Sequence, residues 1–500
     1  MKKRLTCVIL ALVMAMSLLP AGVMAKSSAV KGTVSYQSGH DNNYVDHTVP
    51  YTYSDAFFTG NGAVYRGDLA SMSLAMSMAA GGSTQASSCN EKSKNFEKLM
   101  KETGFTAFGE NDWSNKRPAL DSVGVTAASK RISANGATYT LIAVGVRGWG
   151  YGAEWGGNFN IGASGDHASF AAARDEVLSF IKSYIADNSI TGRIKLWISG
   201  YSRAAAAANM AAGYIDDGYA LGKVSLAHKD MYCYCFEPPM GAVSGDNLSA
   251  AKYNNIQNVM NYNDVVALAA PSGWGFGRYG VDHVLPTKGC ANYGTYKAAM
   301  LKKFASLQNT GLYLVDCFRE YRLGLLGVVP VYGSKMTQGQ FLRSVVNAMS
   351  ADLTREDYAA ELQPILENLL SDVFGVDSFT GQDAYAAFLT LLAQNSSKLL
   401  AVMTPAGALK YGTTPARLLQ SFILQALKSA GVTLYDPLEV QTAAVKLAAL
   451  GTSFALKHPD LAATLLPNIL GIASAHYPEL CYAWVTTVPD SYMRGAAMKY

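Results

Sequence analysis

One serine in this chain of 500 residues stands where a hydroxyl could become a nucleophile. Residues 194–210 read IKLWISGYSRAAAAANM: a β-branched and aromatic run, a glycine, a serine two residues later, then a run of alanines. A strand that enters a helix through Gly200-Tyr201-Ser202-Arg203-Ala204 fits G-x-S-x-[GA], a tight turn that lifts the serine hydroxyl clear of a sheet. The turn brings the residues two before and two after the serine together, so both must be small; here they are Gly200 and Ala204. The alanines at 204–208 let the helix approach the sheet closely, and its N-terminus favours negative charge beside the serine. The plainer alternative is that Ser202 is an ordinary helix N-cap.

A serine at neutral pH needs a base, and the base needs an orienting acid. On a strand–turn–helix nucleophile the chain order is serine, acid, histidine. That order sets aside His40, His47 and His167 and directs attention to His283, His458 and His476. His458 precedes Pro459 and reads as the opening of a helix. His283, in GVDHVLP, follows Asp264 closely and reads as part of a strand, which makes it the alternate base. His476 stands on a loop before the last helix and is the expected base. For the acid, Asp264 lies just past the strand NIQNVMN, on the side where strand ends build sites; Glu237, at the end of the preceding strand, is the alternate. Either carboxylate could instead be a turn residue or a salt-bridged loop group. The oxyanion of acyl transfer needs backbone donors. The N–H of Arg203 is one, and the N–H of Trp149, in the glycine-rich VRGWGYGAEWGGNF (146–159), is the other. A phosphate cradle is the competing reading of those glycines, but G-x-x-x-x-G-K-[ST] is missing.

These residues need elements to hold them. GDLASMSLAMSMAA (67–80), NFEKLMKETGF (95–105) and residues 169–186 read as helices. ATYTLIAVGVRG (137–148), IKLWISG, DMYCYCFE (230–237) and NIQNVMNYND (255–264) read as strands. Residues 26–60 are polar and tyrosine-rich with few periodic signals. Strands alternating with helices predict an α/β fold with a mostly parallel sheet covered on both faces. From about 295 to 466 only helical patterns and loops are read, an all-helical insertion or cap. The division expected is therefore a leader at 1–25, a core at 26–294, a helical cap at 295–466, and a return to the core at 467–500 that carries the histidine.

The chain resembles the class 3 lipase family, in a secreted bacterial branch. GVRGWGYGAEWGGNF resembles that family's F-R-G-T segment and the acidic-Trp and Asn that follow it. GDHASF resembles its H-x-G-F, ISGYSRAAAA its G-H-S-L-G-G-A, and MNYNDVVALAAP its N-x-x-D-x-V-P. The resemblance spans about residues 140–285 and implies an α/β-hydrolase core. It also implies an esterase or lipase with Ser202 as nucleophile, Asp264 as acid and a late histidine as base. Tyr201, Arg203, Ala204, Trp149 and Ser169 depart from the family's residues at their positions, and His167 is by this match structural.

Composition sets outer limits. Half the residues are hydrophobic and 16% are charged, which suits a folded chain with a sizeable core. Residues 1–25 carry Lys2, Lys3 and Arg4, an apolar run and Val23-Met24-Ala25, the layout of a secretory signal cleaved after Ala25; an uncleaved anchor is the alternative. Its removal takes the net charge from +4 to +1, which leaves no electrostatic case for nucleic acid. The remaining cysteines, Cys89, Cys233, Cys235, Cys290, Cys317 and Cys481, are too sparse for a disulfide scaffold. Cys233 and Cys235 share one face of a strand and read as buried free thiols, with no second ligand pair to make a zinc site. No cofactor and no metal are expected. The function expected is a secreted serine esterase or lipase acting on an ester or lipid substrate, with a lipid–water interface as a possible setting. The helical stretch reads equally well as an acyl-chain pocket, a lid, or plain packed core. A non-catalytic cell-surface binding protein on the same fold, or a triad acyltransferase or peptidase, are the alternatives.

Overall fold

Runs that alternate or stay apolar throughout form the strands β1 (Val30–Gln37), β2 (Asp46–Tyr53), β3 (Thr106–Glu110), β4 (Val125–Ala134), β5 (Ala137–Val146), β6 (Gly192–Tyr201), β7 (Val224–Ser225), β8 (Met231–Phe236), β9 (Ile256–Met260) and β10 (Val281–Val284). The computed structural model describes residues 29–37, 46–81, 93–111, 121–148, 154–243, 247–307, 316–323, 335–376 and 379–495. The expected leader 1–25, Cys89 and Trp149 lie outside the described residues. Strands β3 to β10 build one sheet in the order β10-β9-β8-β6-β5-β4-β3, with β7 beside β6. Every pairing from β5 across to β10 is parallel, while β4 and β3 run antiparallel at one edge.

A parallel sheet must be covered on both faces, and side-chain alternation along β6 and β8 shows how. Trp197, Tyr232, Tyr234 and Phe236 face α1 (Gly67–Gly81). Leu196, Ile198, Cys233 and Cys235 face α2 (Ala168–Asp187) and α3 (Arg203–Asp216). The two cysteines are buried free thiols on one face, their sulfurs 3.5 Å apart. This is an α/β-hydrolase core, with a large helical region in the C-terminal half.

Several strands are absent from the sequence reading, β3 and β7 among them. No strand is read from residues 26–60, yet β1 and β2 pair antiparallel with Val34 opposite Val49. Their buried Val34, Tyr36, Val49, Tyr51 and Tyr53 pack in the same cluster as α1. Strand β4 is also unread, because its Ala, Ser, Lys and Arg have weak strand preference. It is joined to β5 by Asn135 and Gly136, both at positive φ, the turn chemistry of a tight hairpin.

Beyond β10 the helix Tyr293–Leu307 places Met300, Phe304 and Leu307 in the core cluster with Leu480 and Trp484. The helices that follow include α4 (Gln338–Asp352), α5 (Phe379–Gln394), α6 (Pro415–Ser429), α7 (Pro437–Lys457) and α8 (Pro459–Ile472). Proline at the first turn opens α6, α7 and α8, where its missing N–H costs nothing. A two-residue ladder, Glu320–Tyr321 against Met336–Thr337, interrupts what is read as helix and loop alone. The apolar faces of α5, α6 and α7 close on one another in a cluster of their own. The chain then returns through a short turn, Ala473–His476, into α9 (Pro478–Val485). Among the described residues no helix is long and apolar enough to cross a membrane.

Lys195 is a cation inside a buried strand, and Asp230 neutralises it; their side chains are 1% and 5% exposed. Removing one partner strands a buried charge, at a cost of about 3–5 kcal/mol. Asp230→Ala is therefore expected to lower unfolding free energy in urea by that amount, and the double change Lys195→Met, Asp230→Leu to recover most of it. Equal losses in the single and double variants would count against the pair.

Candidate active site

The site is built at the carboxyl ends of β6, β8 and β9. At the end of β6 the chain turns at Ser202 with φ +61° and ψ −132°. A residue with a Cβ rarely adopts positive φ. The turn is pinned from both sides: the Ser202 N–H donates to the Phe236 carbonyl at 2.9 Å, and the Ser202 carbonyl accepts from the Ala205 N–H at 2.8 Å. A Cβ at Gly200 would stand 2.5 Å from the Ala204 carbonyl oxygen, so glycine is required there by contact. Gly148 closes the other side, since a Cβ on it would stand 2.2 Å from the Tyr201 carbonyl oxygen. The segment that leads into Trp149 thus starts against the serine turn.

Asp264 follows β9 in a turn stapled by its own N–H, which donates to the Asn261 carbonyl at 3.0 Å. Its Oδ1 accepts from the Val266 N–H at 2.9 Å. His476 sits at the end of the turn that precedes α9. Its Nδ1 lies 2.5 Å from Asp264 Oδ2 and its Nε2 lies 2.7 Å from Ser202 Oγ. A carboxylate only accepts, so Nδ1 carries the proton and donates to Asp264, which leaves the Nε2 lone pair for the serine hydroxyl. The Asp264 side chain is fully buried and that of His476 is 13% exposed, and Ser202 is half-buried.

The backbone of the histidine turn is held at three points. The Tyr201 hydroxyl donates to the His476 carbonyl at 2.9 Å. Asn261 Nδ2 donates to the Ala475 carbonyl at 3.1 Å. Gln338 Nε2, at the start of α4, donates to the carbonyls of Ile472 and Asn263, at 3.1 and 2.8 Å. The roles of Tyr201, Asn261 and Gln338 are not legible in the sequence, since each acts on a partner remote along the chain.

The other expected residues have definite places. His283 is buried in β10, with Nε2 2.6 Å from Gln257 Oε1 and Nδ1 2.8 Å from the Met493 carbonyl, so both ring nitrogens are engaged away from Ser202. His458 stands just before α8 without a capping side-chain hydrogen bond, and its Nε2 meets Asp352 Oδ2 at 3.0 Å. Glu237 is buried beside Asp264, and it is Asp264 that stands on the imidazole. Arg203 is the first residue of α3; its buried guanidinium donates to the Ser169 hydroxyl at 2.9 Å and to the Ser122 carbonyl at 3.1 Å. Two departures from the resembled pattern, Arg203 and Ser169, are therefore one contact. His167 caps α2, its ring stacked on Phe170 with centroids 3.7 Å apart. Among the described residues no three His, Cys, Asp or Glu side chains converge as a metal would need.

Burial pushes the His167 imidazole down to about 3. Its folded value lies below its unfolded value of about 6.5. The stability that a neutral His167 contributes is then present above about pH 6.5 and is lost as pH falls toward 3. His167→Asn keeps a capping side chain and is expected to flatten the acid limb of unfolding free energy against pH, by up to about 1.4 kcal/mol per pH unit. Identical slopes in urea titrations from pH 6.5 downward would refute this.

No family model matches the sequence, and no curated protein matches it. Among solved structures, the chain is similar to the Rhizomucor miehei lipase in its propeptide complex. The two are 14% identical over 34% of this chain and 55% of that one, with a TM-score of 0.24. This chain thus spans about half the length of that enzyme. Lipase II from Rhizopus niveus is 14% identical over 44% of this chain and 88% of that one, with a TM-score of 0.29. The lipase of Rhizopus microsporus var. chinensis is 13% identical over 44% and 76%, with a TM-score of 0.30. Strand order and the serine turn, rather than these overlaps, define the fold.

Proposed function

We propose that this protein is a serine carboxylic ester hydrolase, secreted by way of residues 1–25, that cleaves lipid-type esters through an acyl-enzyme. The observation that carries this reading is the unbroken hydrogen-bond chain Asp264–His476–Ser202, ending on a hydroxyl held in a strained turn. As Ser202 Oγ attacks the ester carbonyl carbon, His476 Nε2 takes the hydroxyl proton. The imidazolium so formed is stabilised by Asp264 through Nδ1–H. The N–H of Arg203, in the first turn of a helix, receives the oxyanion, and the N–H of Trp149 is the second donor proposed from the sequence. Collapse of the tetrahedral species passes the proton from His476 to the departing alcohol. Water, deprotonated by the same nitrogen, then releases the acid and regenerates Ser202.

Tyr293–Leu307 packs with the core, whereas the helical region beyond Leu307, to about 466, is read as a cap. Its support is the way it meets the loops that build the site: Tyr358 packs with Ile161, Met240, Ala270 and Phe276, and Phe159 packs against the α5–α7 cluster.

A fluorophosphonate is expected to label the mature protein at Ser202, and p-nitrophenyl esters to be turned over. Ser202→Ala abolishes labelling and lowers kcat by about a million-fold, and Asp264→Asn lowers it by about ten-thousand-fold. Labelling that persists in Ser202→Ala, or full turnover by His476→Ala, would remove the assignment.

A further inference from the structure

Strand β8 ends at Phe236, and the next residue carries a side chain that the proposed chemistry does not use. Glu237 has φ +48°, and its side chain is turned inward and wholly buried. A non-glycine residue at positive φ is held there by its surroundings. The Glu237 N–H donates to the Val259 carbonyl at 2.8 Å, which locks the turn to β9. Oε2 accepts from the Asn261 N–H at 2.8 Å. Asn261 in turn receives the Asp264 N–H on its carbonyl and gives its side-chain N–H to Ala475, the residue before His476. On the other side, the carbonyl of Phe236 receives the Ser202 N–H. Serine, acid and base are therefore each tied, within one or two hydrogen bonds, to the Phe236–Glu237 corner.

We propose that Glu237 is a positioning residue of this site, one that holds the Asp264 turn and the segment before His476 in register and donates a hydrogen bond to Asp264. The inference rests on the reading of Ser202, His476 and Asp264 as the reacting set. The groups around this corner are acids: Asp264 and the Cys481 thiol face Glu237, and Tyr201 is packed amid Glu237, Asp264, Cys481 and Glu479. The imidazole of His476 meets Asp264 through Nδ1. Two adjacent carboxyls cut off from water do not both ionise. Asp264 has His476 Nδ1–H and the Val266 N–H to favour its charge, whereas Glu237 has the Asn261 N–H and the weakly donating Cys481 thiol. The proton therefore rests on Glu237, and burial with the Asp264 charge pushes its carboxyl well above the usual range. In that form one oxygen accepts from Asn261 and the O–H donates to Asp264, so no charge is left uncompensated.

Three proteins test this: wild type, Glu237→Gln and Glu237→Leu. Gln keeps an acceptor for Asn261 and a donor for Asp264; Leu keeps neither. Glu237→Leu is expected to lower kcat about 10–100-fold with KM little changed, as loss of a supporting hydrogen bond does, and Glu237→Gln to recover most of that loss. Two readouts need no turnover. The first is the His476 titration by NMR. Its midpoint in Glu237→Gln stays near the wild-type value, whereas removal of a neighbouring anion would lower it by about one unit or more. The second is stability against pH. A carboxyl raised in the folded state costs the wild type stability as pH climbs above glutamate's ordinary value of about 4.3, so the Tm advantage of Glu237→Gln grows with pH from there. A lowered His476 midpoint together with a Tm difference that does not vary with pH overturns the proposal, as does a folded Glu237→Leu with wild-type kcat. Absence of fluorophosphonate labelling in the wild type would instead sink the hydrolase reading, and the titration and melting data would still judge Glu237.

Discussion

The conformation of Ser202 is the constraint on which the rest of the site depends. A residue with a side chain at φ +61°, ψ −132° costs about 1–3 kcal/mol relative to an ordinary turn. The surroundings must over-determine it. Gly200 and Ala204 touch across the turn, the N–H of Ser202 is taken by β8, and the buried alanines at 204–208 bring α3 down onto the sheet. Once the hydroxyl is fixed to the ends of β6 and β8, the groups that reach it must come from the ends of neighbouring strands. That is why Asp264 arrives from the turn after β9, at the carboxyl edge of the sheet.

Much of this was legible because its signals are local. The strand, the small residues around Ser202 and the alanine helix share a window of seventeen residues, and Asp264 and His476 each sit at the boundary of a readable element. The rest is written in contacts between distant segments. Strands β1 and β2 carry a period-two pattern in Val49, Tyr51 and Tyr53, but Pro50 interrupts it, which an edge strand tolerates. Strand β4 is announced by the Asn135-Gly136 turn rather than by its own composition. Tyr201 reads as a neutral departure from a family pattern, yet its hydroxyl holds the backbone of His476. The Arg203 and Ser169 departures make sense only together, because one donates to the other. No local pattern announces such pairs.

Gln338 shows what the helical region contributes to the core. Asp264 and His476 are 212 residues apart, and most of the chain between them is helix. A buried glutamine at the start of α4 donates to Asn263, next to Asp264, and to Ile472, four residues before His476, and it accepts from the Tyr321 hydroxyl. Asn263 Oδ1 meanwhile accepts from the Gly339 N–H at 2.9 Å. Each such bond is worth about 0.5–1.5 kcal/mol net, but leaving a buried donor or acceptor unpaired costs more. The apolar contacts run the same way, since Leu268 after the acid turn shares a cluster with Phe341 and Leu342 of α4 and with Leu461 and Ile472 of α8. The N-terminal turn of α4 and the C-terminal end of α8 therefore clamp the two loops to each other as well as to themselves. Tyr201 and the Glu237–Asn261 contact tie the same two loops to the ends of β6 and β8, so Asp264 and His476 are held from the helical region and from the sheet at once.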